Sequence, residues 1–275
     1  MKEYILPILI FLGFGALSGI LLLIASKVLA VKTDETEAKI TEALPGANCG
    51  GCGYSGCAGY AAAVAHDGAP TNLCKPGGAD VMKKINAIMG TEGGEFIREV
   101  AYVRCNGCEK ATKDRFTFTG TKSCAAVEKF YNGKGECRFG CDGYGDCAAV
   151  CSNDAITIAD GVAVVDPAKC GGCGKCVTAC PNHLIFLRKE TSTVALRCSS
   201  KDSGKVTRTV CTNGCIGCKI CEKKCPHGAV IVADNHAVID YDKCTSCGTC
   251  VSACPRKCLV NITCTHSDKV EQADK

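Results

Sequence analysis

The sequence predicts an α+β chain. It has a single N-terminal transmembrane helix, a small α-helical domain built on four cysteines, and two tandem copies of a short cysteine-rich module. Three observations carry this reading. Residues 4–26, "YILPILIFLGFGALSGILLLIAS", contain no charged side chain. Residues 49–57, "CGGCGYSGC", are followed by a fourth cysteine at Cys74. The cysteines of the second half recur at an offset of 74 residues.

Composition narrows what can hold such a chain together. Its 275 residues include 27 Cys and 31 Gly but no Trp, and aromatics make up 5%. Few large side chains are available to fill cores, and small domains of that kind rely on disulfides or metals. The formal charge of +4 comes without a basic run or basic–aromatic interleaving, so no nucleic-acid partner is expected.

The first element covers residues 1–32. Its charge-free run is long enough to cross a bilayer, whereas the apolar part of a cleaved signal peptide is about 7–15 residues. We read it as a retained single-pass anchor in the cell (cytoplasmic) membrane, with lipid as a partner. Lys27, Lys32 and Lys39 follow the run and only Lys2 precedes it. The positive-inside tendency then puts the bulk of the chain on the cytoplasmic side.

The second element covers residues 33–92. A charged helix leaves the membrane, "AGYAAAVAH" reads as a short helix after Cys57, and "CKPGG" returns Cys74. Cys49, Cys52, Cys57 and Cys74 form a candidate four-thiolate site. Zinc ribbons typically show two CxxC pairs, but here one CxxC is followed by wider gaps. Glycine lets backbone N–H groups approach sulfur, which tunes an iron–sulfur site. With the cysteine runs downstream, the spacing favours an iron–sulfur cluster over zinc.

A connecting segment, 93–132, carries "RCNGC" (Cys105 and Cys108) and Cys124. These three, with Cys198, are candidates for a further metal site. Alternatively they are small buried hydrophobes or remnants of duplication. Cys211, Cys258 and Cys264 have no assigned role.

The modules occupy 133–190 and 191–265, before a polar tail at 266–275. Cys141, Cys147, Cys151, Cys170, Cys173, Cys176 and Cys180 map onto Cys215, Cys221, Cys225, Cys244, Cys247, Cys250 and Cys254. The same ungapped offset pairs Cys124 with Cys198 and Cys137 with Cys211. In the second copy, "CIGCKICEKKCP" and "CTSCGTCVSACP" flank "AVIVADNHAVID", an alternating pattern that predicts a hairpin. Each CxxxCP tail reads as a short helix.

These runs resemble bacterial two-cluster ferredoxins, in which three cysteines of one run hold a cluster and the fourth ligates the other. The resemblance implies one set of Cys215, Cys218, Cys221 and Cys254, and another of Cys244, Cys247, Cys250 and Cys225. In the first copy it implies Cys170, Cys173, Cys176 and Cys151. The remaining set departs from the pattern, because Tyr144 occupies a ligand position and Ser152 replaces the usual proline. We expect Cys137 to join Cys141, Cys147 and Cys180. The alternative is a three-iron cluster on those last three.

The order of an N-terminal membrane helix, "CGGCGYSGC…CKPGG" and ferredoxin modules resembles the B-subunit family of Rnf (Rsx) complexes. That resemblance implies an electron-transfer component of an ion-translocating ferredoxin:NAD⁺ oxidoreductase. Its partners would be soluble ferredoxin and the other membrane and peripheral subunits. The cofactors would be five [4Fe-4S] clusters, with a sixth using Cys105, Cys108 and Cys124 left open. We expect the front cluster to pass electrons to the membrane partners. The alternatives are an iron–sulfur component of a hydrogenase- or reductase-type membrane enzyme, and a non-redox zinc or disulfide scaffold. No nucleotide-binding loop or Ser/His/Asp constellation is visible, so no catalytic residue is assigned and the chain itself only transfers electrons.

Overall fold

The computed structural model describes residues 2–28, 34–92 and 94–262, with side chains for all of these except 2–10 and 25–28. Helix α1, Lys2–Val28, is 27 residues long. The side chains described on it, 11–24, are all exposed, with Phe11 at 79% and Phe14 at 72%. Among the described residues no helix is long and apolar enough to cross a membrane. The expected span at 4–26 falls on α1, with its side chains at 4–10 and 25–26 outside the described ones; Cys264 and the tail lie outside the described residues.

The front domain packs α2 (Glu35–Ala43), α3 (Cys57–His66) and α4 (Gly78–Met89) around Ile40, Tyr60, Val64 and Ile85. Asp34 caps α2 by accepting from Thr36 N at 3.0 Å, satisfying an amide the helix leaves free. The buried Tyr60 hydroxyl donates to Pro70 O at 2.7 Å and accepts from Leu73 N at 3.3 Å. It thereby fixes the loop that returns Cys74.

The first module comprises β1 (Glu99–Val103), α5 (Cys124–Tyr131), α6 (Asp146–Ala149), the hairpin of β2 (Ile156–Ala159) and β3 (Val162–Val165), α7 (Lys175–Ala179) and β4 (Ile185–Lys189). The second comprises β5 (Val194–Leu196), α8 (Gly204–Val210), α9 (Ile220–Lys224), the hairpin of β6 (Val230–Ala233) and β7 (His236–Ile239), α10 (Thr249–Ala253) and β8 (Leu259–Asn261). The hairpins align residue for residue: Ile156 faces Val165, and Val230 faces Ile239. Their turns, Asp160–Gly161 and Asp234–Asn235, all have positive φ, as two-residue hairpin loops require. Val162 and Ala163, like Val230 and Ala237, turn into the core, while Ile158 and Ile231 face out.

Each module is closed by an antiparallel edge pair, β1 with β4 and β5 with β8. Strand β1 therefore draws part of the expected connecting segment into the first module, where Val100 and Val103 join its core. The edge pairs also correct the ungapped repeat. Arg104 N donates to Leu184 O and Arg197 N to Cys258 O, both at 2.7 Å. Leu184 and Cys258 are 74 residues apart, but Arg104 and Arg197 are 93 apart. The first module thus carries 19 additional residues between its edge strand and its cysteine runs. In the fold, Cys198 is the counterpart of Cys105, not of Cys124.

Candidate iron–sulfur centres

In the front domain, Gly50 and Gly53 adopt positive φ and let the chain coil tightly between Cys49 and Cys57. Asn48 Oδ1 accepts from Cys57 N at 2.8 Å, anchoring the start of α3. Burial pushes the Cys74 thiol up; the Gly77 N–H opposes this, and nearby Cys57, Cys49 and Cys52 reinforce it. The four expected residues are thus mutual neighbours. Gly77 is fixed by crowding, since a Cβ there would lie 3.0 Å from Cys74 Sγ.

In the modules, helical turns and hairpins aim the cysteines into small cavities. One is lined by Cys215, Cys218, Cys221 and Cys254. Another is lined by Cys225, Cys244, Cys247 and Cys250. Each pocket brings together the four cysteines expected to form one set. Their first-module counterparts, Cys151, Cys170 and Cys176, pack in one core with Cys173 close by. Burial, then Cys170, Cys173 and Cys147, push the Cys176 thiol up to about 12.

The fourth set differs from expectation. The pocket at Cys141, Cys147 and Cys180 is lined by Cys124 and not by Cys137. Burial raises Cys147 to about 12, reinforced by Cys141, Cys124 and Cys180. The physical reason lies in the inserted residues. They form α5, whose first residue is Cys124, and the Asp146 carboxylate clamps that helix onto α6. It accepts from Ser123 Oγ at 2.9 Å, Cys124 N at 3.0 Å and Ala125 N at 2.9 Å. Tyr144, standing where a thiol is missing, turns instead to Phe118, with ring centroids 6.0 Å apart.

Cys137 lines a different pocket, together with Cys105, Cys198 and Cys211. Cys108, grouped with Cys105 and Cys124 from the sequence, is not on that wall. Cys258 lines the cavity of Cys215 and Cys254, its Sγ 3.5 Å from Cys254 Sγ.

The donor chemistry fits iron–sulfur clusters. Sets of thiols line common pockets, and backbone amides point at sulfur. Ala155 N reaches Cys151 Sγ and Ala229 N reaches Cys225 Sγ, both at 3.3 Å, while Leu184 N reaches Cys180 Sγ at 3.4 Å. Such N–H···S bonds tune cluster potentials. Among the described residues no three His, Cys, Asp or Glu side chains are placed to share one metal ion. The raised thiols imply that cluster loading releases protons.

The front domain connects directly to the first module. A Cβ on Gly51 would lie 2.9 Å from Cys173 O. Lys75 bridges Glu99 at 3.1 Å. The glycine loops of two thiol sets therefore touch through backbone.

Comparison with known proteins agrees with this architecture. Residues 44–76 match a family described as "Putative Fe-S cluster". Residues 169–229 and 214–259 each match families described as "4Fe-4S dicluster domain". The first of these matches straddles the two modules, passing over the irregular run at 141–151. The B subunit of the ion-translocating oxidoreductase complex of Methanosarcina acetivorans is 40% identical, over 90% of this chain and 94% of that protein. The B subunit of the Na(+)-translocating ferredoxin:NAD(+) oxidoreductase complex of Acetobacterium woodii is 43% identical, over 94% and 78%. Its proton-translocating counterpart in Clostridium ljungdahlii is 36% identical, over 93% and 91%. With identity of this order running nearly end to end, through the front motif and both modules, the chain belongs to the B-subunit family of ion-translocating (Rnf-type) oxidoreductase complexes.

Proposed function

We propose that this chain is the iron–sulfur electron-transfer component of an ion-coupled ferredoxin:NAD⁺ oxidoreductase complex, relaying electrons from reduced ferredoxin to the other subunits. The observation that carries the reading is the backbone contact of Gly51 with Cys173, which joins the front thiol set to the modules. A [4Fe-4S] cluster supplies reversible one-electron storage when bound. The residues of this chain hold, space and tune such groups. Five sets would do so: Cys49, Cys52, Cys57 and Cys74; Cys124, Cys141, Cys147 and Cys180; Cys151, Cys170, Cys173 and Cys176; Cys215, Cys218, Cys221 and Cys254; and Cys225, Cys244, Cys247 and Cys250.

Within each module the two sets share runs, so neighbouring sites are close. Cys147 of one set is among the groups acting on Cys176 of the other. The amides aimed at the sulfurs favour the more reduced, more negative state, and the burial of the sets ranges from buried Cys147, Cys176, Cys221 and Cys250 to exposed Cys218 and Cys247. Helix α1 serves as a membrane anchor in this reading. Its support is the 23-residue charge-free run and the exposed apolar side chains at 11–24. The lysines after it support a cytoplasmic position for the modules.

The test uses anaerobically purified full-length chain mixed with reduced ferredoxin in a stopped-flow spectrometer. Bleaching of the iron–sulfur absorbance, with acid-labile sulfide matching iron, is the expected result. Zinc without sulfide, or no bleaching by reduced ferredoxin, would overturn the proposal.

A further inference from the structure

We propose a sixth [4Fe-4S] site, held by Cys105 and Cys137 of the first module and Cys198 and Cys211 of the second, that joins the two modules electronically. The inference rests on the electron-transfer reading above and adds a site between its two halves.

The four thiols line one pocket, as sets within the modules line theirs. Cys105, Cys198 and Cys211 are buried and Cys137 is half-buried. They come from four separate chain segments, yet their placement is symmetric. Cys105 lies two residues beyond β1, and Cys198 lies two residues beyond β5. Cys137 and Cys211 each lie four residues before the first cysteine of a module's leading run. The local geometry is repeated as well. Gly107 N donates to Cys105 Sγ at 3.4 Å, and Ser200 N donates to Cys198 Sγ at 3.5 Å. Gly140 N donates to Cys137 O at 2.9 Å, and Gly214 N donates to Cys211 O at 3.4 Å. Each module thus supplies the same two thiols to a shared centre.

The surroundings hold this centre rigidly. Ser199 Oγ donates to Arg104 O at 3.1 Å, Asn213 Nδ2 to Asn106 O at 2.9 Å and Thr112 Oγ1 to Val210 O at 2.7 Å. These bonds stitch one module to the other around the cavity. Arg197 donates to Cys105 O at 3.3 Å and Arg256 to Cys211 O at 2.8 Å, which places cationic side chains around the thiolates. The centre also touches its neighbours. Cys215 N, from a ligand run of the second module, donates to Cys198 Sγ at 3.2 Å. The Cys141 backbone stands in the same relation to Cys105. A cluster held by these four thiols would accept one electron from a reduced site in one module and give it up to an oxidised site in the other. No proton or further reactant is consumed.

The test is a count on anaerobically purified full-length chain. Six sites predict about 24 iron atoms and as many sulfides, against about 20 for five. Cys211→Ala and Cys137→Ala should each lose about four iron atoms, with one species missing from the reduced-state paramagnetic and Mössbauer spectra. Cys108→Ala should lose none. Should the alanine variants not fold, alkylation of the native holoprotein followed by peptide mapping gives a second readout. Protection of Cys105, Cys137, Cys198 and Cys211 until the clusters are destroyed supports the site. About 20 iron atoms with those four thiols freely alkylated, or a single zinc bound there, would overturn it. A chain without any iron and sulfide would instead overturn the underlying electron-transfer reading.

Discussion

Asp146 offers the sharpest test of how the irregular first module is assembled. It is the first residue of α6, next to Cys147, and its carboxylate accepts three hydrogen bonds from the start of α5, which begins at Cys124. Asp146→Ala removes all three. Losing a helix-capping acceptor costs about 0.5–2 kcal/mol, and hydrogen bonds to a charged group contribute about 1.5–3 kcal/mol each where buried. Ala125 is exposed, so water replaces part of the loss, and we expect about 2–3 kcal/mol in total. Asp146→Asn keeps one acceptor oxygen and should cost about half as much. The assay is urea unfolding of the cluster-free chain, combined with alkylation of Cys124 in the cluster-loaded chain. Asp146→Ala should lower the unfolding midpoint and expose Cys124 first. Burial alone would raise the Asp146 pKa, but the Ala125 and Cys124 amides and the Ser123 hydroxyl outweigh it, and the net shift is downward. The carboxylate therefore contributes fully above the unfolded value, and the contribution fades as pH falls through the lower folded value. The gap between the native chain and Asp146→Asn should close in acid. Equal midpoints at neutral pH and equal protection of Cys124 would refute the clamp.

Two further perturbations address electron flow. Gly51→Val drives a side chain into the Cys173 carbonyl, an overpacking of about 1–3 kcal/mol. It should slow equilibration between the front set and the modules in stopped-flow traces, and unchanged kinetics would remove that contact from the path. Arg197→Gln removes a positive charge lining the inter-module cavity. At an effective dielectric of about 20 and a separation of about 8 Å, the charge contributes about 2 kcal/mol, or about 90 mV for one electron. Because it stabilises the reduced state, its removal should lower one cluster potential by that order in a redox titration followed by paramagnetic resonance.

Much of the fold is legible in the sequence because local chemistry fixes it. The hairpins follow from alternation around Asp160–Gly161 and Asp234–Asn235, and the regular thiol sets follow from CxxCxxC runs that close on themselves. The front set is legible for the same reason, with Gly50 and Gly53 marking its tight turns. What spacing does not reveal is long-range. An ungapped match between Cys124 and Cys198 reads as duplication, but the edge strands expose an insertion that shifts the correspondence by 19 residues. Cys137 lies close in sequence to Cys141, and proximity alone predicts that it serves beside it. The fold turns it towards Cys211 instead and brings Cys124 in on α5. The available signal is a missing ligand at Tyr144 beside a 19-residue insertion that carries a cysteine. Reading that signal requires the pairing of β1 with β4, which a polar connecting segment does not advertise.

The symmetric placement of Cys105, Cys137, Cys198 and Cys211 bears on how the chain is made. Synthesis runs from the N-terminus, so the first pair emerges well before the second. A chain interrupted ahead of Cys198 presents half a coordination shell, with two thiols facing an open wall. Neither module can complete that centre alone, whereas the front domain's four thiols are all in place by residue 74. The inter-module pocket, whose last lining residue is Gly214, therefore closes only after the thiols of both modules have been made.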